Sequence, residues 1–174
     1  MHTIEFSMPD KPDPKAPAGT PMEDRPVLHR FEETPEGFRW REIELLQYKP
    51  EGTHFKGITR QALFNRPDEI PAALRYFEIE PGGYSSFEKH RHVHAVMILQ
   101  GRGRVLVGDS VYDVAPFDLV YIPSGKWHQF RADDDAPLGF LCLVASDRDR
   151  PECPGEEDIA VIRSIPGLDA FVRL

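Results

Sequence analysis

The sequence predicts a single all-β domain, folded as a sandwich or barrel of some nine or ten short strands. Turn-forming Gly, Pro, Asn and Asp residues recur roughly every 8 to 12 residues after residue 37, a spacing typical of short strands. Residues 138–144 form a near-continuous apolar run, as expected for a strand inside a core. No segment shows the sustained periodicity of a long helix, which disfavours the other fold classes.

Composition narrows the function classes. The chain has 174 residues, with 21 Lys and Arg against 29 Asp and Glu, and its net charge of −8 argues against nucleic acid or an anionic membrane as the partner. Its start lacks the basic and apolar regions of a signal peptide, and no apolar run approaches the ~20 residues of a membrane span. Cys142 and Cys153 lack CxxC spacing, so we predict no disulfide framework and a cytoplasmic location.

Three regions are predicted along the chain. Residues 1–26 hold six of the seventeen prolines, which favours an extended or disordered N-terminal arm; a role in covering a neighbouring subunit is the alternative. Residues 27–145 are assigned to the β-barrel, and residues 146–174 to a C-terminal loop and tail that pack on it. Within this tail, residues 146–157 are charged and proline-rich, and residues 158–163 fit either a short helix or an outer strand.

The strands follow from alternation between turns. Residues 38–48 alternate loosely and are assigned to a strand, although their Arg, Glu, Leu and Gln content also suits a helix. Residues 58–64 and 74–80 are predicted strands, the second running into a turn at 81–83. Further strands are predicted at 105–107 and 111–114, joined by a tight turn, and then at 118–122, 128–131 and 138–144.

Residues 81–101 carry the chemistry. His90, His92 and His94 occupy alternate positions, with Glu88 in the same phase, so an extended strand would place all four on one face. Imidazole combined with carboxylate suits a divalent transition metal. A solvated polar face is the alternative, but the stretch ends in the apolar residues 95–99, which favours burial.

The order of motifs over residues 81–132 resembles the cupin family, whose jelly-roll β-barrel, a double-stranded β-helix, holds a metal inside. In the first motif, counting back from Gly101 places the glutamate position at His94 and the His-x-His positions at Glu88 and His90. The second motif is met by Pro123, Gly125 and His128.

Four positions depart from the family pattern. Glu88 replaces a histidine, His94 replaces the glutamate, Phe117 stands where glycine is usual, and Ala132 where asparagine is usual. The set still comprises three imidazoles and one carboxylate, and a four-histidine subgroup of the superfamily also has histidine in the His94 position.

Strand geometry tests this alignment. Residues two apart lie ~6.6 Å from each other and can share an ion, whereas positions 88 and 94 of a straight strand would lie ~20 Å apart. The resemblance therefore requires the chain to fold back within residues 91–93, where there is neither Pro nor Gly. Otherwise the neighbours His90 and His92 are the ligands; His92 is the reserve ligand, or a hydrogen-bond donor beside the ligands.

The resemblance implies that Glu88, His90, His94 and His128 bind a divalent transition metal, with Fe or Mn favoured and Ni, Zn or Cu as alternatives. Up to two coordination positions would remain open for a small-molecule substrate. Neutral imidazoles are required, so metal affinity should fall below about pH 6.5. The remaining histidines are assigned to the surface: His2, His29 and His54.

Phe130 shares parity with His128 and is predicted to face the interior. Further candidate wall residues are Tyr76, Phe77, Gln61, Phe140 and Cys142, the last expected to be buried and inert. Trp127 is expected to cap the pocket or to anchor a subunit contact. Arg60 and Arg75 could bind a substrate carboxylate, but we expect them to face outward as solvated charges.

Two classes of function follow. The first is an enzyme that resembles the dioxygenase branch of the cupins, in which Glu88 acts both as ligand and as catalytic proton acceptor. The second is a non-catalytic module that binds a small molecule or a structural metal; a metal-free isomerase is disfavoured by the clustered histidines. The residues do not decide between enzyme and binding module.

A homodimer is expected, because open sandwiches hide their edge strands by pairing and cupins commonly dimerise.

Overall fold

The computed structural model describes residues 27–49 and 54–174, and the predicted N-terminal arm therefore lies outside the described residues. Eleven strands and two short helices occur within these ranges. The strands are β1 Phe31–Thr34, β2 Gly37–Trp40, β3 Leu46–Gln47, β4 Lys56–Asn65, β5 Ala72–Tyr84, β6 His94–Gly101, β7 Gly103–Val107, β8 Ser110–Val114, β9 Leu119–Ile122, β10 His128–Ala132 and β11 Leu138–Ala145. The helices are α1 Glu156–Ser164 and α2 Leu168–Phe171.

Nine strands form one antiparallel sheet that curls around an interior. Its main path is β8-β7-β10-β5-β11-β6-β9, and β4 joins β5 with β3 beside it. The inward side chains of these strands form an apolar core that includes Ile79, Ile98 and Leu138, each with no exposed surface. All-β architecture is therefore confirmed, because the alternating strands bury one face each.

The short hairpin β1–β2 packs across the outside of the sheet. Phe38 and Trp40 contact the ring of Tyr76, and the side-chain amide of Gln61 donates to the carbonyl of Phe38. The predicted single strand over 38–48 is wrong in its extent. The chain turns after β2, with Glu42 at φ 64°, before the two residues of β3.

The predicted turn at Pro81-Gly82-Gly83 is a bulge inside a strand instead. β5 continues to Tyr84, and its pairing with β4 jumps from Ile58↔Ile79 to Lys56↔Tyr84. A Cβ atom on Gly83 would lie 2.6 Å from the carbonyl oxygen of Lys56, so only glycine permits this close approach.

The two helices pack on the outside of the barrel. Ile162, Leu168 and Phe171 form a second apolar cluster with Phe87 and Leu106. The segment 158–163, which fitted helix or strand, is helical. No helix among the described residues is long and apolar enough to cross a membrane.

Candidate metal centre and its cavity

Three imidazoles converge at one end of the barrel. His94 begins β6, His128 begins β10, and His90 lies just before β6, next to the bridge that pairs Glu88 with His128. One potential ligand atom from each of the three lies within 4.8 Å of the others. Two separate pieces of backbone thus supply a cluster of metal-ligand type.

A sharp bend at Arg91 and His92 brings His90 and His94 together. The carboxylate of Asp149 accepts hydrogen bonds from the backbone N–H of Arg91 at 2.8 Å and of His92 at 2.9 Å. The backbone N–H of Gly125 donates to the carbonyl of His90 at 2.7 Å. The fold-back required by the motif alignment is therefore stabilised by a distant carboxylate rather than by Pro or Gly.

Hydrogen bonds at Nδ1 set the tautomers of two imidazoles. Nδ1 of His90 lies 2.8 Å from the carbonyl oxygen of His92, and Nδ1 of His128 lies 3.0 Å from that of Lys126. A carbonyl can only accept, so each Nδ1 carries a proton and each Nε2 carries a lone pair. Nε2 of His90 and of His94 is buried without a hydrogen-bond partner in the described chain. These orphaned nitrogens fit a divalent ion.

Burial favours the neutral form of His94 and His128. It lowers the pKa of His128 to about 4, and it also lowers the pKa of His94, with the neighbouring imidazoles acting in the same direction. Neutral imidazole is the form that binds metal, so these side chains are ready to act as ligands near neutral pH.

Glu88 and His92 lie beside this cluster. Glu88 is buried, and its Oε2 accepts from Nζ of Lys49. His92 stacks on His90, with ring centroids 3.6 Å apart, and its Nδ1 lies 2.8 Å from the Asp149 carboxylate. The three-imidazole cluster includes neither side chain.

The three histidines assigned to the surface lie away from this cluster or outside the described residues. His54 is exposed, the ring of His29 contacts the carbonyl of Arg41, and His2 lies outside the described residues.

A cavity of about 910 Å³ opens next to the imidazoles. Phe77, Phe130 and Phe140 form part of its wall, as predicted, and so does Cys142. The predictions for Tyr76 and Gln61 are wrong, because both lie on the outer face of the sheet beneath the β1–β2 hairpin. Trp127 stacks on Phe87, near the helices, instead of capping the cavity.

Basic side chains also reach the cavity. Arg60 and Arg75 line it together with Lys49 and Arg148, so the prediction that Arg60 and Arg75 face outward is wrong. Arg60 is two residues after the buried Ile58 on β4, so strand alternation places both side chains on the inner face of the sheet.

The thiol of Cys142 lies between a cation and the imidazole cluster. Its Sγ is 3.3 Å from Nη2 of Arg75 and 3.5 Å from Nδ1 of His94. Burial raises the pKa of this thiol, and the nearby guanidinium of Arg75 opposes that effect. The sequence indicated a buried cysteine, but its position beside a metal-type site was missed.

A curled antiparallel barrel with three imidazoles from two chain segments at one end is the arrangement of a cupin with a candidate metal site. A family model of the cupin domain matches residues 75–144. The 1-methylthio-D-xylulose 5-phosphate methylsulfurylase of Rhodospirillum rubrum is 50% identical over 136 residues, which are 78% of this chain and 86% of the relative. The chain belongs to the cupin family, and the predicted jelly-roll fold is confirmed.

Solved structures and a more distant relative agree with this assignment. A cupin-2 domain from Rhodospirillum rubrum is 50% identical, with a TM-score of 0.73 over 76% of this chain and 89% of that chain. A cupin 2 conserved barrel domain protein from Rhodopseudomonas palustris is 44% identical, with a TM-score of 0.76 over 83% and 99%. A 5-nitrosalicylic acid 1,2-dioxygenase from Bradyrhizobium is 33% identical over 57 residues, which are 33% of this chain and 28% of the relative.

Proposed function

We propose that this cupin is a metal-dependent enzyme that removes the methylsulfur group from 1-methylthio-D-xylulose 5-phosphate or a closely similar ketose phosphate. The observation that carries the proposal is the contact of 3.5 Å between Sγ of Cys142 and Nδ1 of His94. It places a thiol, a natural acceptor for sulfur, beside imidazoles that suit a metal. The relative at 50% identity bears the name of this reaction.

His90, His94 and His128 are the proposed ligands of a divalent transition ion, with Fe or Mn favoured. When bound, the ion would polarise the substrate carbonyl. Glu88 is the proposed fourth ligand and proton acceptor, a role that requires its carboxylate to exchange Lys49 for the ion.

The thiol of Cys142 performs the sulfur chemistry in this proposal. Its sulfur attacks the methylthio sulfur, an S–S bond forms, and the bond from that sulfur to C1 breaks. The electron pair passes to C1, which gains the proton that the thiol has lost. The substrate carbon is thereby reduced to a methyl group, and Cys142 is oxidised to a methyl disulfide. A low-molecular-weight thiol is the co-reactant that restores Cys142, which accords with the predicted reducing cytoplasm.

The test combines mass and product analysis. The metal-loaded protein is incubated with 1-methylthio-D-xylulose 5-phosphate in the absence of added thiol. We expect one methylthio group on Cys142 by intact and peptide mass spectrometry, and release of the 1-deoxy ketose phosphate by NMR. Cys142→Ser should abolish both, whereas Cys153→Ser, at an exposed free cysteine, should change neither. Unchanged substrate with the wild-type protein would refute the proposal.

A second candidate is the dioxygenase activity predicted from the sequence. The limited similarity to 5-nitrosalicylic acid 1,2-dioxygenase and the aromatic cavity wall favour it. Oxygen uptake by Fe(II)-loaded protein is measured with salicylates, catechols and diketones. Uptake that survives Cys142→Ser and is lost in His128→Ala would support this activity in place of sulfur transfer.

A further inference from the structure

The third imidazole of the cluster, His94, has a partner at Nδ1 that differs from those of the other two. In His90 and His128 this nitrogen lies next to a backbone carbonyl oxygen, at 2.8 Å and 3.0 Å. In His94 the neighbouring atom is Sγ of Cys142, at 3.5 Å, within reach of a hydrogen bond to sulfur. All three rings are therefore contacted at the same nitrogen, two by a carbonyl and one by a thiol.

Cys142 is held in place by its neighbours in the sheet. Its side chain is 1% exposed, and its Cα on β11 is paired with that of Arg75 on β5. Nη2 of Arg75 lies 3.3 Å from Sγ. A guanidinium can only donate, so the sulfur is the acceptor in this contact. The sheet thus presents an acceptor sulfur to the ring of His94.

The direction of the contact between Cys142 and His94 decides where the ring proton lies. If the thiol donated to Nδ1, the ring proton would lie on Nε2, which is buried without a hydrogen-bond partner in the described chain. A buried donor without a partner is costly. If Nδ1–H donates to Sγ, Nε2 carries a lone pair, as inferred for His90 and His128. Only the second arrangement lets an ion satisfy Nε2.

We propose that Cys142 is a positioning residue for the metal centre: its sulfur accepts the Nδ1–H of His94 and thereby keeps Nε2 available to bind the ion. Hydrogen-bond partners of ligating histidines fix the tautomer and the orientation of the ring, and their loss typically weakens metal binding by about 10- to 100-fold. Here a sulfur takes the place of the carbonyls at His90 and His128. This role rests on the proposed metal centre and does not require the sulfur transfer.

The tautomer of His94 is measured on the metal-free, full-length protein at about pH 7.5, above the usual titration range of histidine. Long-range ¹⁵N–¹H NMR spectra of histidine-labelled protein distinguish a ring protonated at Nδ1 from one protonated at Nε2. The signals that disappear in His94→Gln belong to His94. We expect the Nδ1–H form in the wild-type protein and a shift toward the Nε2–H form in Cys142→Ala. The Nε2–H form in the wild-type protein would overturn the proposal.

Metal affinity is the second measurement, with Mn²⁺ as the probe and EPR of the free ion as the signal. Cys142→Ala removes the acceptor and should weaken binding by about 10- to 100-fold. Cys142→Ser retains an acceptor in a side chain close to alanine in size, and should recover part of the loss. Val144→Ala is the matched control, because Val144 is 3% exposed, lies two residues further along β11 and packs in the apolar core.

Circular dichroism checks that each variant is folded. Equal Mn²⁺ affinity in the wild-type protein and in folded Cys142→Ala overturns the positioning role. So does a loss in Cys142→Ser or Val144→Ala as large as that in Cys142→Ala. The tautomer of the wild-type protein requires no substitution at Cys142, and it decides the matter if the Cys142 variants do not fold.

The two proposals fail separately. Methylthio transfer to Cys142, with unchanged Mn²⁺ affinity in Cys142→Ala, supports the proposed function and refutes the positioning role. An Nδ1–H tautomer and Mn²⁺ binding that both depend on Cys142, without methylsulfur transfer by the wild-type protein, support the positioning role and refute the proposed function. If both proposals hold, Cys142→Ser loses the transfer while it retains more Mn²⁺ than Cys142→Ala.

Discussion

Asp149 and His92 are joined twice, since the Asp149 carboxylate accepts from the backbone N–H of His92 and contacts its Nδ1 at 2.8 Å. This pairing links the segment after β11 to the bend between two proposed metal ligands. It also explains the low pKa of the Asp149 carboxyl: hydrogen bonds from the Arg91 and His92 backbone and from the His92 ring stabilise its charged form against partial burial.

Asp149→Ala should therefore loosen the bend and weaken metal binding. Removal of the carboxylate leaves two backbone donors without their partner, and we expect a loss of about 1 to 3 kcal/mol in unfolding free energy. Urea unfolding and metal content after dialysis provide the measurements. Asp149→Asn keeps an acceptor and should retain more metal, and Asp147→Ala, at an exposed site, is the control. Full metal content in Asp149→Ala would contradict the role assigned to the bend.

Lys49→Met should destabilise the metal-free protein by about 2 to 3 kcal/mol, because it leaves the Glu88 carboxylate buried and unpaired. A divalent ion should then restore more stability to this variant than to the wild-type protein, since Glu88 is free to act as a ligand. Thermal unfolding with and without Mn²⁺ measures the difference. Lys49→Met/Glu88→Gln should lose this extra gain; if it does not, Glu88 is not a ligand.

Stability of the metal-free protein should fall as pH falls from about 6.5 to about 4. His128 has its pKa lowered to about 4 by burial, whereas an unfolded histidine titrates near 6.5. In that window the unfolded chain binds more protons than the folded chain, so acid favours unfolding, by about 3 kcal/mol from His128 alone. Urea unfolding between these pH values measures the slope. His128→Gln should flatten it, and an unchanged slope would exclude His128 as the cause.

Phe117→Gly should stabilise the protein by roughly 0.5 to 1 kcal/mol. Phe117 has φ 76°, in the left-handed region that favours glycine, and its side chain is 78% exposed, so little packing is lost. Chemical denaturation gives the change. Phe64→Gly, at an exposed phenylalanine within β4, should be destabilising instead. A loss of stability at both sites would show that the backbone at Phe117 is not strained.

The homodimer predicted from the sequence is proposed to form through the outer face of β9. This strand ends the sheet, and its outward residues Leu119 and Tyr121 are 74% and 62% exposed, next to Met97 and Ala95 of β6. Light scattering should give the mass of two chains for the wild-type protein and of one chain for Tyr121→Glu. Tyr112→Glu, on β8 at the other end of the sheet, is the control. A wild-type monomer would refute the dimer.

Much of this architecture could be predicted because strand alternation and turn chemistry act locally. The motif alignment placed His90, His94 and His128 at the metal-ligand positions of the cupin motifs, and the structure brings these three imidazoles together. The departure at Phe117 also marked a real backbone feature, since a glycine position implies positive φ.

Other features depend on contacts between distant parts of the chain. The bend at residues 91–93 contains no local turn residue, and its stabilising carboxylate comes from Asp149, more than fifty residues away. Arg60 and Arg75 were assigned to the outside because charges usually face water, but both side chains line the cavity together with apolar and imidazole side chains. Tertiary context overrides the general preference there.

Cys142 lies on β11, whereas the three clustered imidazoles come from β6, β10 and the bend before β6. A mutation at the thiol position therefore need not disturb the backbone that carries the imidazoles. During evolution, a relative of this protein could therefore replace the cysteine and acquire a different reaction while it retained the three imidazoles. Homologues that differ at this position are the natural place to look for such divergence.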